Sequence, residues 1–172
     1  MERNLSHLTE LEAPSVIMMI GVPGSGKSHI AQQVGKLLGI ETLSSDSIRE
    51  EISGNANDQT VSKEAWTLLY DRAQNAIGNK QTLIIDATHT HEKSRQRDIA
   101  SYKRFGAKAV VGIHVSANIN TVRYRNANRD RTVPDFVIDR MQANIDQAPA
   151  STKDGFTFVI RVDNDSTTNN VD

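Results

Sequence analysis

The sequence contains no cysteine, which excludes disulfide staples, thiolate catalysis and cysteine-based zinc sites and is compatible with a reducing compartment. Any demanding chemistry must therefore use oxygen and nitrogen groups. A long hydrophobic run is also missing: the most apolar stretch, Val16 to Ile20, falls far short of the roughly 20 residues a bilayer requires. Met1 to Glu12 mixes acidic and basic residues without an apolar core or a small-residue cleavage site, so the expectation is no signal peptide and a cytoplasmic location. Nor does charge of one sign dominate. With a formal net charge of −1 over 172 residues, global attraction to nucleic acid is absent, and any grip on phosphates must come from a local patch. Internal repeats are absent, and the only compositional bias is an Asn/Thr-rich tail. One domain, long enough to bury a core unaided, is the natural reading.

What is present is alternation. Ser15 to Ile20 is a continuous apolar run ending in glycine, as expected of a central parallel strand buried on both faces. A helical pattern follows from Lys27, with Ile30, Val34, Leu37 and Leu38 on one face and Gly39 as its stop. Glu41 to Ser44 reads as a second strand, after which Asp46 fits an N-cap opening a short helix through Ile52. A Gly/Asn/Asp-rich loop from Gly54 leads to a helix from Val61 to Ile77, with Trp66, Leu69 and Ala73 as its buried stripe. Thr82 to Ile85 is the next strand, ending at Asp86, and a basic helix follows over Glu92 to Phe105. Further strands are expected at Ala109 to Val115 and Phe156 to Val162, with helices from Ile119 and Pro134 between them. The pattern predicts a three-layer α/β sandwich around a parallel sheet of about five strands. One compact unit is expected over 14–163, between flexible tails at 1–13 and 164–172.

The chemistry is concentrated at a few positions. Gly21-Val-Pro-Gly-Ser-Gly-Lys-Ser28 fits the phosphate-loop (P-loop) pattern, and it stands between a buried strand and a helix, where such a loop must lie. Gly21, Pro23, Gly24, Ser25 and Gly26 would shape a tight turn whose N–H groups point at phosphate oxygens, at a helix N-terminus. Lys27 would reach the β- and γ-phosphates of ATP, and Ser28 would coordinate Mg²⁺. Asp46 follows the second strand at the sheet's carboxyl edge, where ligands bind, and a carboxylate there can accept the proton of an attacking hydroxyl. Arg49 shares its helix face and can grip an anion beside it. The plain alternative is a capping aspartate with an exposed arginine. Arg123, Arg125, Arg129 and Arg131 crowd one turn, either a lid closing over a triphosphate near 125–134 or a solvated basic face. Asp86 could hold a Mg²⁺-bound water or orient Arg49. Thr88, His89 and His91 follow the same strand, where histidines either touch an acceptor or form polar lining. Lys93, Arg95, Arg97, Lys103 and Arg104 could track a nucleic-acid backbone, but their spacing favours a solvated helix.

Five segments in order, GVPGSGKS, SSDSIR, NDQT, DATH and RNANR, resemble the kinase module of polynucleotide 5′-hydroxyl kinases, over about Val16 to Val162. The resemblance implies an adenylate-kinase-like P-loop phosphotransferase that moves the γ-phosphate of ATP to a 5′-hydroxyl end of DNA or RNA, in end healing. By the resemblance Asp46 is the general base and Arg49 holds the acceptor's 3′-phosphate with Gln59 in support. Arg125 and Arg129 contact donor phosphates, Lys27 and Arg129 belong to the catalytic set, and Val133 or Pro134 packs on the terminal base. His89 stands where the family pattern has asparagine, which bears on acceptor choice. The phosphatase and ligase modules that accompany such kinases are missing, so those activities would come from separate partners. The competing expectations are a P-loop kinase acting on a nucleoside, a sugar nucleotide (zeta-toxin-like) or a modified DNA base, and an ATPase that transfers nothing to an alcohol.

Overall fold

A computed structural model describes residues 3–165. No helix among them is long and apolar enough to cross a membrane. Five strands, β1 (Ser15–Ile20), β2 (Glu41–Ser44), β3 (Leu83–Asp86), β4 (Ala109–Ser116) and β5 (Phe158–Asp163), form one sheet in the order β2-β3-β1-β4-β5. Every pairing is parallel. The helices are α1 (Lys27–Leu38), α2 (Ser45–Ser53), α3 (Ser62–Gly78), α4 (Glu92–Phe105), α5 (Ile119–Ala127) and α6 (Asp135–Gln147). This is the expected α/β architecture of a P-loop kinase fold: a five-stranded parallel sheet between helical layers.

The central strand shows why two layers form. All six residues of β1 are buried, and successive side chains of a strand point to opposite faces. Val16, Met18 and Ile20 meet Leu69, Ala73 and Ile77 of α3 and Ile99 and Tyr102 of α4. Ile17 and Met19 meet Ile30, Ala31 and Val34 of α1 on the other side. Consecutive strands lie to one side of β1 and then to the other, so the switch in direction occurs beside β1. That leaves a crevice at the carboxyl ends of the strands.

Three local expectations are corrected. Residues 1–13 are not a free tail throughout: Leu5–Glu10 form a 3-10 turn capped by Asn4, and Leu8 is buried against the α1 layer. At the other end, Asn164 accepts from Arg125 through its carbonyl and donates from its side chain to the Ser25 carbonyl. Asp165 accepts from the Asn118 N–H, and the rest of the expected C-terminal tail, 166–172, lies outside the described residues. The α2 N-cap is Ser44, whose hydroxyl accepts from the Ser47 N–H, and Asp46 sits one position into the first turn. Its carboxylate is thus free to face the crevice.

The solvated reading of the basic helix fails at Arg95, which is fully buried. A buried guanidinium must satisfy its donors or be expelled. Arg95 Nε donates to Asp154 Oδ2 at 2.8 Å, Nη1 to the His89 and Thr90 carbonyls at 3.2 and 3.1 Å, and Nη2 to the Ala148 carbonyl at 2.6 Å. One side chain therefore joins the turn after β3, the end of α6 and the turn before β5. Removing one member of such a pair strands a buried charge. Arg95→Ala is expected to cost about 3–5 kcal/mol, read as a lowered urea midpoint with an unchanged slope.

A second expectation concerns acid stability. His114 of β4 lies in register with Arg161 of β5, whose Nη1 donates to His114 Nδ1 at 2.9 Å. Burial, and then the Arg161 charge, push the His114 pKa down to about 4 from its ordinary 6.5. The unfolded chain therefore takes up this proton first, and stability present above the unfolded pKa is lost as pH falls toward the folded one. His114 alone should remove about 2 kcal/mol between about pH 7 and pH 5. His114→Gln should flatten that part of the denaturation-midpoint profile; an unchanged acid limb would refute the assignment.

Candidate active site

The loop after β1 is built by close approach. Gly24 and Gly26 have φ of +87° and +92°, a region that side-chain-bearing residues enter at a cost. A Cβ on Gly24 would stand 2.6 Å from the Val122 carbonyl oxygen, and one on Gly26 would collide with the Asn164 side chain. The Gly21 N–H donates to the Thr88 carbonyl at 3.0 Å, fastening the loop to the turn after β3. Lys27 and Ser28 open α1, so the loop's N–H groups and the helix N-terminus face the same space. Burial lowers the Lys27 pKa, while Asp86 and Asp46 oppose that shift.

Ser28 Oγ donates to Asp86 Oδ2 at 2.7 Å. The other oxygen, Asp86 Oδ1, is buried with no hydrogen-bond partner. A buried carboxylate oxygen left unpaired beside a hydroxyl fits a hard cation that takes few protein ligands and keeps phosphate and water oxygens, as Mg²⁺ does.

A cavity of about 720 Å³ spans the crevice. Pro23, Lys27, Ser28 and Asp86 form its phosphate-loop wall, while Asp46, Arg49, Asn57 and Gln59 form the opposite one. Thr88 also lines it, Arg129 and Arg131 enter from the turn after α5, and Trp66, Val133, Pro134, Val137 and Met141 supply its apolar lining. Its charged lining comprises four cations and two carboxylates, so a local basic site exists in a chain without basic excess. Asp46 Oδ1 accepts from Arg49 Nη2 at 2.7 Å, and Oδ2 pairs with Arg131 Nη1. Partial burial raises the Asp46 pKa, but the Arg131 hydrogen bond and the Arg131, Arg49 and Lys27 charges outweigh it and leave it lowered. Asp46 is therefore ionised at neutral pH, between an anion-binding wall and two guanidinium groups. A second cavity of about 460 Å³ lies at the amino ends of β2 and β3, lined by residues such as Glu41, Arg72 and Thr82. Phosphate-loop residues are absent from it.

Comparison with known proteins agrees with this fold. Residues 16–148 match the family AAA_33, described as AAA domain. The chain belongs to this AAA domain family. No curated protein matches it. Among solved structures, the AAA domain is similar to a chain of the Pnkp1/Rnl/Hen1 RNA repair complex, with a TM-score of 0.71 and 18% identity over 86% of this chain and 47% of that one. It is also similar to the tunicamycin resistance protein of Deinococcus radiodurans, with a TM-score of 0.58 and 16% identity over 86% of each chain. A gluconokinase from Sinorhizobium meliloti gives a TM-score of 0.57 and 12% identity, over 88% of this chain and 83% of that one. At these identities the likeness speaks for the fold.

Two residues of the AAA domain stand elsewhere than expected. Arg125 does not line the cavity: it donates to the Ser25 carbonyl at 3.3 Å and the Asn164 carbonyl at 2.9 Å, bracing the phosphate loop from outside. His89 is buried rather than presented to an acceptor. Its Nδ1 donates to the Met19 carbonyl at 2.6 Å, and burial lowers its pKa despite Asp98 nearby, so the ring is neutral with the proton on Nδ1. Ser25 is likewise buried, and it serves the loop through its backbone.

The sequence reading also missed residues of the AAA domain's cavity. Trp66 was expected in the core stripe of α3, yet it lines the cavity while packing near Tyr70 and His89. Met141 and Val137 gave no signal at all, because only the fold brings α6 over the crevice. Asn126, an unmarked residue inside RNANR, is buried and staples the turn, accepting from the Val133 N–H at 3.0 Å and donating to its carbonyl at 2.6 Å.

The backbone explains the tolerance for histidine at 89. Its φ is +46°, a left-handed conformation in which Asn, Asp and His are enriched. His89→Asn is expected to change stability by less than about 1 kcal/mol, whereas His89→Val should lose about 1–3 kcal/mol through backbone strain and an orphaned carbonyl. Thermal unfolding of the two variants side by side checks this order.

Proposed function

We propose that this protein is an ATP-dependent polynucleotide 5′-hydroxyl kinase. The observation that supports the reading is the single cavity lined by Asp46 together with Lys27 and Ser28. In the reaction an acceptor oxygen forms a bond to the γ-phosphorus of ATP as the bond from that phosphorus to the β,γ-bridging oxygen breaks, giving a phosphate monoester and ADP. Asp46 takes the hydroxyl proton. Lys27 and the loop N–H groups hold the β- and γ-phosphates, and Arg129 offsets charge on the transferring group, the role of a lid arginine. Ser28 and Asp86 would hold Mg²⁺, which supplies neutralisation of phosphate charge when bound. Arg49, with Gln59 beside it, would grip a phosphate of the acceptor.

The apolar patch supports a nucleic-acid end over a bare sugar. Trp66, Val133, Pro134, Val137 and Met141 form a surface suited to a planar base, and a polyhydroxylated sugar would leave it without a partner. Thr88 lines the same cavity and would meet the acceptor's sugar. The second reading, the same transfer to a nucleoside, sugar nucleotide, modified base or sugar, draws on the fold shared with the gluconokinase and the tunicamycin resistance protein. The resemblance to a chain of an RNA repair complex supports work beside separate partners; a ligase or phosphatase as that partner, and a cytoplasmic location, complete the proposed reading.

The test follows label from γ-phosphate-labelled ATP into 5′-hydroxyl DNA and RNA oligonucleotides, nucleoside 3′-phosphates, nucleosides and gluconate. Labelled oligonucleotide ends are expected, with Asp46→Asn lowering kcat by about 10²–10⁴-fold and leaving ATP affinity nearly unchanged. Label in a small alcohol and in no oligonucleotide would replace the acceptor. Full activity in Asp46→Asn would remove the base.

A further inference from the structure

Arg131 occupies a position that the transfer reaction does not explain. It lies in the turn between α5 and α6, yet its guanidinium reaches across the cavity to the acceptor wall. Nη1 pairs with Asp46 Oδ2, Nε donates to Asn57 Oδ1, and the side chain is only 19% exposed. Arg49 already holds the other carboxylate oxygen at 2.7 Å, and its own Nε is committed to the Ala56 carbonyl at 3.2 Å. Both oxygens of the would-be base are thus engaged by guanidinium groups. The side chain of Arg129, two residues earlier in the same turn, lines the cavity and makes no hydrogen bond or ion pair among the described residues, although its backbone N–H donates to the Asn126 carbonyl. The two arginines of this turn are therefore differently engaged: one side chain is uncommitted, and the other is paired with Asp46.

Asp46 stays 40% exposed, but a carboxylate oxygen held by a guanidinium is the poorer proton acceptor, because the cation occupies one of its lone pairs and lowers its basicity. An acceptor that displaces Arg131 meets a stronger base, and its chemistry decides whether it can. A phosphate group carries more charge and more acceptor oxygens than a carboxylate and matches the planar guanidinium fork equally well. Bound between Arg49 and Arg131, it would compete directly for the guanidinium and free Asp46 Oδ2 for the neighbouring hydroxyl. Water and uncharged alcohols offer no such exchange.

We propose that Arg131 is a specificity-determining latch, paired with Asp46 in the absence of acceptor and drawn off it by a phosphate group on the acceptor. The latch rests on the reading of Asp46 as the base. It makes the protein selective for acceptors that carry a phosphate near the reacting hydroxyl, and it suppresses ATP hydrolysis while none is bound.

The experiment compares adenosine with adenosine 3′-phosphate as acceptors, and measures ATP hydrolysis without acceptor, in the unaltered protein, Arg131→Gln, Arg131→Lys and Asn57→Ala. In Arg131→Gln the kcat/KM preference for the phosphorylated acceptor should fall by about tenfold or more, in part through a gain on adenosine, and acceptor-free hydrolysis should rise several-fold. Asn57→Ala removes the latch's second anchor and should move both readings the same way by less; Arg131→Lys should retain most of the selectivity. Equal proportional losses on the two acceptors in Arg131→Gln, with hydrolysis unchanged, would overturn the latch and make Arg131 an ordinary donor-phosphate contact. If the unaltered protein phosphorylates neither acceptor nor any other alcohol, the latch and the base fall together. If it does phosphorylate them but the ratio is insensitive to Arg131 and Asn57, the latch alone falls.

Discussion

The seam between the end of β1 and the turn after β3 is the constraint on which the rest depends. Three bonds sew it: Gly21 N–H to the Thr88 carbonyl, His89 Nδ1 to the Met19 carbonyl, and Ser28 Oγ to Asp86. Parallel pairing of β1 with β3 brings the two chain ends level, and the seam converts that adjacency into a fixed wall. A phosphate cradle works only if its N–H groups are held in place before the ligand arrives, since ordering them on binding would consume affinity. Arg95 extends the same wall by binding the His89 and Thr90 carbonyls to the end of α6 and to Asp154. The turn after β3, the end of α6 and the turn before β5 therefore share one buried hub.

Electrostatics divides the cavity into two halves. On the loop side, Lys27 and the unpaired Asp86 oxygen face a space suited to triphosphate and a divalent ion. On the other side, Asp46 is compensated by Arg49 and Arg131, so a carboxylate can stand in an anion-binding crevice without repelling the ligand. The cost is that each carboxylate oxygen is paired with a guanidinium. In the proposed reading, a base that is both ionised and paired is a natural point for acceptor control, because the acceptor's own anion is the group best able to draw the pairing arginine away.

The turn between α5 and α6 is anchored at two points. Asn126 clasps Val133 by both backbone groups, and Arg125 is tied to the loop's outer face. Only the residues between those anchors, Arg129 and Arg131 among them, are left to project into the crevice. Close packing of Gly24 under the Val122 carbonyl places this turn directly against the loop. Loop glycines thus serve the protein's own packing as well as any ligand.

Much of this was legible in the chain itself. The uninterrupted run Ser15 to Ile20, the glycine-rich loop with Lys27 and Ser28, and the alternation of strand and helix patterns follow from short-range chemistry: burial on both faces, backbone freedom at glycine and helical spacing. They announced the sheet, the phosphate cradle and the position of Asp46 after a strand. What only the tertiary structure decided is which way side chains face once distant segments pack. His89 turned inward to a β1 carbonyl, Arg95 left the solvent for a buried hub, Arg125 braced the loop instead of lining the crevice, and Arg131 crossed to Asp46. Each of those outcomes depends on a partner far away in sequence, and composition and periodicity carry no record of where a charge will find the group that offsets it.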